Sequence, residues 1–238
     1  MKGKCFKIEH VKRRVFRTSF LKNVVYVFTM SETSRSEDKL KNYAESLRGD
    51  GYEMKEFSNL TKGLVVARKS GMLIIANREL FIVNAHVSKY ESYDHFKTIV
   101  LSYLQQYSDV INASKVTTLH IFKMNEFKLD RSKPDMAAVT PEQFEQVICS
   151  EEFLTNADDR QIETGPDENG IQRFAKCDIN EGEKNYILEL AVAASDNNLR
   201  DLSEVGSRLD MLNDAAYDVW NAILSETIKK SLRENEDK

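Results

Sequence analysis

Short runs of β-branched and aromatic residues, separated by tight turns, follow one another between Tyr52 and Asn84. An earlier run from Val24 to Phe28 is typical of a buried strand. The separators Ser70-Gly71 and Asn77-Arg78 are two residues long, which predicts hairpins, because parallel strands need a much longer connection. The sequence therefore favours an antiparallel sheet.

Two helices are predicted in the first part of the chain. Ser34 and Glu37 form a capping-box signature, and Gly49 stands where a left-handed residue would end the first helix. A wide apolar stripe from Tyr93 to Tyr107 predicts the second helix, which should end near Ser108. A stripe of this width is expected to pack on a sheet rather than to face water.

The order strand, helix, antiparallel strands, helix recurs in the second part of the chain. A long strand is predicted from Val116 to Phe127, and residues 140–143 carry a capping box with a proline in the first helical turn. Asn169-Gly170 is the strongest hairpin signal in the chain. One long helix is expected from about Val205 to Leu232.

These patterns predict an α+β fold with an antiparallel curved sheet and helices packed on one face. The recurring order of elements indicates two structurally similar halves. The first half, residues 1–130, would have the order β-α-β-β-β-α and a basic N-terminal segment, and the second, residues 131–238, the order α-β-β-β-α. We expect them to pack as one continuous unit.

Positive charge is concentrated at the start of the chain. Residues 1–22 hold eight lysine and arginine residues against Glu9 alone, a local charge of +7 in a chain whose formal net charge is −4. The candidate residues for binding nucleic acid or another anion are Lys12, Arg13, Arg14 and Arg17. The alternative is that they face acidic groups of the same chain or of a partner protomer. We favour that alternative, because the net negative charge opposes long-range attraction to a polyanion.

One arrangement is typical of an enzyme. Metal-dependent nucleases place an aspartate before a Glu-x-Lys strand, and Asp109 precedes Glu126 and Lys128 here. The same Glu-x-Lys spacing recurs at Glu53-Met54-Lys55, so it is a weak signal in a chain with 30% charged residues. The sequence has no glycine-rich phosphate motif, no G-x-S-x-G and no zinc-ligand spacing, and we assign no catalytic residue, metal or cofactor.

Cysteine usage and hydropathy bear on the location of the protein. The three cysteines are widely spaced and form no Cys-x-x-Cys motif, which is typical of a reducing interior. The uninterrupted apolar runs are far shorter than a membrane-spanning helix needs. We therefore expect a cytoplasmic protein without a membrane anchor.

Several features between residues 64 and 127 and between residues 209 and 224 point to a family. A strand pair, Met72–Ala76 and Leu80–Val83, precedes Tyr90 and Tyr93-Asp94-His95-Phe96, which open a helix. In these features the chain resembles an uncharacterised, sporadically distributed bacterial protein family whose members have about this length. The Arg-Tyr-Ile-Asn-like stretch of that family corresponds to residues 122–125, which keep the asparagine as Asn125 and lack the arginine. Asn213 and Trp220 stand where its terminal helix tends to carry a histidine and a phenylalanine.

The resemblance implies an α+β protein of two related halves, without an established enzymatic activity, and often associated with mobile or phage-defence genes. It supplies no catalytic residue. We therefore expect a non-enzymatic recognition or assembly protein of the bacterial cytoplasm, whose sheet face or basic N-terminal segment binds a protein partner or a second copy. The alternative is nucleic-acid or nucleotide binding through the basic N-terminal segment. A metal-dependent nuclease is the third, less favoured interpretation.

Overall fold

The computed structural model describes residues 6, 8–12, 20–31, 37–54 and 63–234. The strands are β1 (Leu21–Met30), β2 (Glu53–Met54), β3 (Val65–Lys69), β4 (Met72–Ala76), β5 (Leu80–His86), β6 (Lys115–Asp130), β7 (Gln161–Glu163), β8 (Ile171–Glu181), β9 (Asn185–Asp196) and β10 (Arg200–Asp201). The helices are α1 (Glu37–Gly49), α2 (Tyr93–Ile111), α3 (Pro141–Ile148), α4 (Glu151–Asn156), α5 (Val205–Ile223) and α6 (Glu226–Glu234). None of the helices in these ranges has the length and apolarity of a transmembrane helix.

The described strands form one ten-stranded antiparallel open sheet with helices packed on it, which confirms the predicted α+β class. The strand order is β2-β3-β4-β5-β1-β6-β9-β8-β7, and β10 pairs with β6. The predicted turn between β3 and β4 is confirmed: Ser70 and Gly71 both have positive φ, 44° and 86°. Such a turn matches the right-handed twist of the strands that it joins.

The chain divides into two compact units. Unit 1 comprises Met1–Lys22, Phe122–Ala194 and Asn213–Lys238, and unit 2 comprises Asn23–Ile121 and Ser195–Leu212. This division does not test the relatedness of the halves 1–130 and 131–238, which stays a prediction.

Aromatic side chains join α1 and α2 to the sheet of unit 2. Phe81 of β5 stacks on Tyr107 of α2 with ring centroids 5.0 Å apart, and Tyr43 of α1 meets Tyr107 edge to face. Tyr26 of β1 packs against Phe96 of α2. All of these rings are fully buried. Full burial of one large apolar side chain contributes roughly 1.5–3 kcal/mol, so these contacts fix both helices on one face of the unit 2 sheet.

Unit 1 has its own apolar core. It contains Phe127 of β6, Cys177 of β8 and Leu188 of β9, packed with residues of α3, α5 and α6. The capping box predicted at the start of α3 is confirmed: the Gln143 N–H donates to Thr140 Oγ1, and the Thr140 N–H donates to Gln143 Oε1.

Two local predictions were wrong. The helix expected from Val205 to Leu232 is interrupted, because Leu224 pairs with Cys149 in a β-bridge and the Ser225 N–H donates to the Ile148 carbonyl. The Ser225 hydroxyl accepts a hydrogen bond from the Ile228 N–H and thereby caps the N-terminus of α6. At the end of α1, Gly49 does not have the predicted left-handed conformation, and the positive φ, 84°, occurs two residues later, at Gly51. The predicted capping residue Ser34 lies outside the described residues.

Candidate binding surface

The basic N-terminal segment is only partly described. Lys12 is exposed, whereas Arg13, Arg14 and Arg17 lie outside the described residues. The structure therefore places one of the four predicted anion-binding residues at the surface and leaves the grouping of the four as a prediction.

A buried carboxylate of α5 holds the residues next to Lys12. The Val11 N–H donates to Asp218 Oδ1 at 3.0 Å, and His10 Nδ1 lies 3.1 Å from Asp218 Oδ2. The Asp218 side chain is only 5% exposed. Phe6 adds an edge-to-face contact with Phe153, at 6.1 Å between ring centroids. These contacts anchor the segment on unit 1, and Lys12 projects from an anchored backbone.

The residues of the predicted nuclease pattern have other partners. Lys128 Nζ lies 2.8 Å from Glu126 Oε1, and Lys22 Nζ donates to the other oxygen of the same carboxylate. Hydrogen bonds from Lys128 and then from Lys22 hold the pKa of Glu126 below its ordinary value. Asp109 accepts a hydrogen bond from Gln105 within α2. In the described part of the chain, no group of three or more His, Cys, Asp or Glu residues could hold a metal ion.

The face of the unit 2 sheet opposite α1 and α2 carries apolar side chains that remain partly exposed. The strand neighbours of Tyr26 and Phe81 point away from the helices, because successive side chains of a strand alternate between faces. We call this surface the open face and define it by Val25, Val27, Leu73, Ile75 and Ile82.

The strand register orders the open face into rows. Ile75, Ile82 and Val27 are cross-strand neighbours and form an apolar row. In the adjacent row, Leu73 lies between Arg68 of β3 and Asn84 of β5. This row continues from Asn84 to Val25 of β1, so polar and apolar side chains alternate in it, whereas the three residues of the first row are all apolar.

A cleft of about 660 Å³ lies at the polar end of the open face. Its lining includes Asn23, Arg68, Met72, Leu73, Asn84 and His86. Clefts of roughly 300–1,000 Å³ with an apolar lining and a few convergent polar groups are typical ligand sites. The cleft has this composition, since Leu73 supplies apolar surface between the polar side chains.

Several polar groups of the cleft are available to a ligand. Within the described part of the chain, the side chains of Asn23, Arg68 and Asn84 have no hydrogen-bond or ion-pair partner. His86 Nδ1 accepts from the Ser88 N–H at 3.2 Å. The neutral His86 ring therefore carries its proton on Nε2, which makes that nitrogen a donor.

Sequence reasoning missed this cleft. Its side chains come from four strands, and their proximity depends on the register. One signal was present in the sequence: Asn84 interrupts the apolar run of β5, and asparagine is depleted in strands.

Comparisons with known proteins add little. No protein-family model and no curated protein matches the sequence. Among the solved structures that match is one titled "KH domains", with 8% sequence identity and a TM-score of 0.20, over 87% of this chain and 64% of that one. The chain thus spans less than two thirds of the length of that structure, and a similarity this weak establishes neither fold nor function.

Proposed function

We propose that the protein is a non-enzymatic recognition protein that binds a protein partner through the open face of unit 2. The observation that carries the proposal is the apolar row of Ile75, Ile82 and Val27, which lies beside Arg68 and Asn84, whose side chains have no partner among the residues that the structure describes. Partly exposed apolar side chains gain free energy when a partner removes them from water. Polar groups at the margin of such a surface give the contact its orientation.

The composition of the open face favours a protein over a nucleic acid. Phosphate backbones are bound mainly by clustered lysine and arginine side chains, and the cleft is lined by one arginine. The formal net charge of −4 also opposes long-range attraction to a polyanion. The matching partner presents apolar side chains beside an acidic group that complements Arg68.

The family resemblance supplies the biological setting of the proposal. It supports a bacterial cytoplasmic protein from a mobile or phage-defence gene set. The open face would then be the surface through which the protein recognises another component of that set.

A cross-linking experiment in the native cells tests the proposal. A photo-activated phenylalanine analogue replaces Ile82 on the open face or, as a matched control, the exposed Asn42 on α1. We expect an adduct with one defined protein from position 82 and none from position 42. The purified partner should then bind the full chain, and Leu73→Asp should weaken binding at least about tenfold, because a charge would be buried in the contact.

The possible outcomes separate the alternatives. Circular dichroism identifies any variant that has not folded, and Ile75→Asp then replaces Leu73→Asp. An adduct only with a second copy of the chain, an adduct with nucleic acid, or equal adducts from both positions would overturn the proposal.

The exposure of Lys12 on an anchored segment favours a second candidate function, nucleic-acid binding. It predicts an affinity that falls steeply with salt and is lost on charge reversal at Lys12, Arg13, Arg14 and Arg17. Filter binding at several salt concentrations measures both effects. Binding that is absent or independent of salt would exclude this candidate.

A further inference from the structure

We infer that the cleft on the open face binds an oxyanion, a carboxylate or phosphate group, attached to an apolar body. The inference deepens the proposed function and rests on it only for the source of the oxyanion, which is either an acidic group of the protein partner or a free small molecule. The shared chemistry is an anionic acceptor that meets a set of hydrogen-bond donors.

The strand register places the donors around an apolar centre. Arg68, Leu73 and Asn84 are consecutive cross-strand neighbours on β3, β4 and β5. Adjacent strands lie about 4.8 Å apart, so the backbones of Arg68 and Asn84 are separated by about 10 Å, with Leu73 between them. His86 and its cross-strand neighbour Asn23 lie two residues further along the strands. The polar side chains thus border Leu73 on more than one side.

The chemistry of the lining selects an acceptor-rich ligand. The Arg68 guanidinium carries up to five N–H donors, each asparagine amide carries two, and neutral His86 carries one on Nε2. No aspartate or glutamate lines the cleft among the described residues. A carboxylate or phosphate satisfies several of these donors at once, and the charged guanidinium makes its hydrogen bonds stronger than neutral ones.

The size and apolar surface of the cleft indicate more than a bare ion. A volume of about 660 Å³ exceeds the space that one phosphate group occupies. Leu73 is partly exposed within this lining. Removing its surface from water stabilises the complex in proportion to the apolar area buried. A ligand with an apolar part beside its oxyanion should therefore bind better than the oxyanion alone.

One carboxylate opposes this binding. Glu53 of β2 is the cross-strand neighbour of Arg68 and is exposed. It forms no ion pair with Arg68, because the Arg68 side chain has no partner within the described residues. Because the two residues are directly opposite each other on adjacent strands, the negative charge of Glu53 is on the same side of the sheet as Arg68 and repels an incoming anion. Removing the Glu53 charge should therefore tighten anion binding.

Titration of the isotopically labelled full chain by NMR tests the inference. The probes are inorganic phosphate, phenyl phosphate, acetate and hexanoate. We expect saturable amide shifts at Arg68, Asn84 and His86, and tighter binding of phenyl phosphate and hexanoate than of the matched bare anion. If phenyl phosphate binds more tightly than hexanoate, the ligand is a phosphate compound. If hexanoate binds more tightly than phenyl phosphate, the ligand is a carboxylate.

Two charge variants are expected to change the affinity for the anion in opposite directions, which makes the test specific. Arg68→Ala should weaken binding at least about tenfold, the loss expected for hydrogen bonds to a charged group. Glu53→Gln should strengthen it, which a merely structural effect would not produce. Arg48→Ala is the matched control, because Arg48 is an exposed arginine of α1 that is already paired with Glu45, and it should leave the affinity unchanged.

The inference is overturned if none of the four anions gives saturable shifts, or if Arg48→Ala weakens binding as much as Arg68→Ala. Failure of the proposed function is distinguishable from this result. Anion binding without a cross-linked partner at Ile82 would refute only the proposed function, and a cross-linked partner without anion binding would refute only the oxyanion site.

Discussion

A buried carboxylate at the end of β9 provides the sharpest test of the electrostatics in unit 2. The Asp196 side chain is fully buried. Its Oδ2 accepts hydrogen bonds from Arg200 Nε at 3.0 Å and from Arg208 Nε at 2.7 Å. Its Oδ1 accepts from Asn198 Nδ2 at 2.7 Å. Burial raises the pKa of Asp196, but the hydrogen bonds from Asn198 and the arginines outweigh burial and hold the pKa below its ordinary value.

We expect Asp196→Asn to destabilise the protein strongly, because the substitution removes the buried negative charge that accepts hydrogen bonds from Arg200 and Arg208. Removing one partner of a buried ion pair costs about 3–5 kcal/mol. Arg200 and Arg208 are 26% and 12% exposed, so water solvates them in part and the lower end of this range, about 3 kcal/mol, applies. Arg200→Ala is the control: it should cost only about 1 kcal/mol, because Arg208 still neutralises the carboxylate.

The pH dependence provides an independent check. An aspartate in the unfolded chain has a pKa of about 3.9. Because the pKa of Asp196 is lower in the folded state, its stabilising effect is fully present above the unfolded value and is lost as pH falls through the folded value. Urea unfolding of wild type and Asp196→Asn, followed by circular dichroism from neutral to acid pH, should therefore show a difference that shrinks below about pH 4. Equal stabilities at pH 7, or a difference that stays constant in acid, would refute this reasoning.

Two further predictions concern unit 1. Thr140→Ala should lower the free energy of unfolding by about 1 kcal/mol, because it removes the cap on the Gln143 N–H, and Thr140→Ser should restore most of it in urea unfolding. Asp218→Ala should speed hydrogen exchange at the Val11 amide about tenfold, because its acceptor is removed. If mass spectrometry finds unchanged exchange at Val11, the proposed anchoring of the N-terminal segment is wrong.

The sequence predicted those elements whose signals are local. The Ser70-Gly71 turn and the Thr140 capping box depend on residues within four positions of each other, and both are confirmed. The single helix from Val205 to Leu232 was wrong for the opposite reason. Its apolar period continues past residue 223, but a tertiary bridge from Leu224 to Cys149 ends α5. Helix periodicity carries no information about a partner 75 positions away in the chain.

The candidate site was harder to predict than the fold. The sequence predicts a binding site at Lys12 and its basic neighbours, because these like charges are close together along the chain. The cleft instead depends on Arg68, Asn84 and Asn23 meeting across strands. A register shift of one residue would turn a side chain to the opposite face, so the pairing must be known before the cleft can be assembled.

Strand β5 shows how one segment serves both the core and the proposed binding surface. Phe81 and Val83 face the helices and are fully buried. The alternate residues change character along the strand, from apolar Ile82 to polar Asn84 and His86. Packing alone would not require this change, since a strand that is buried on one face tolerates many different side chains on its solvent-facing side. On a binding surface each end would have a role: the apolar end supplies free energy on association, and the donors fix the direction and register in which a partner lies. The order of side chains along β5 is therefore the feature on which the proposed recognition surface depends.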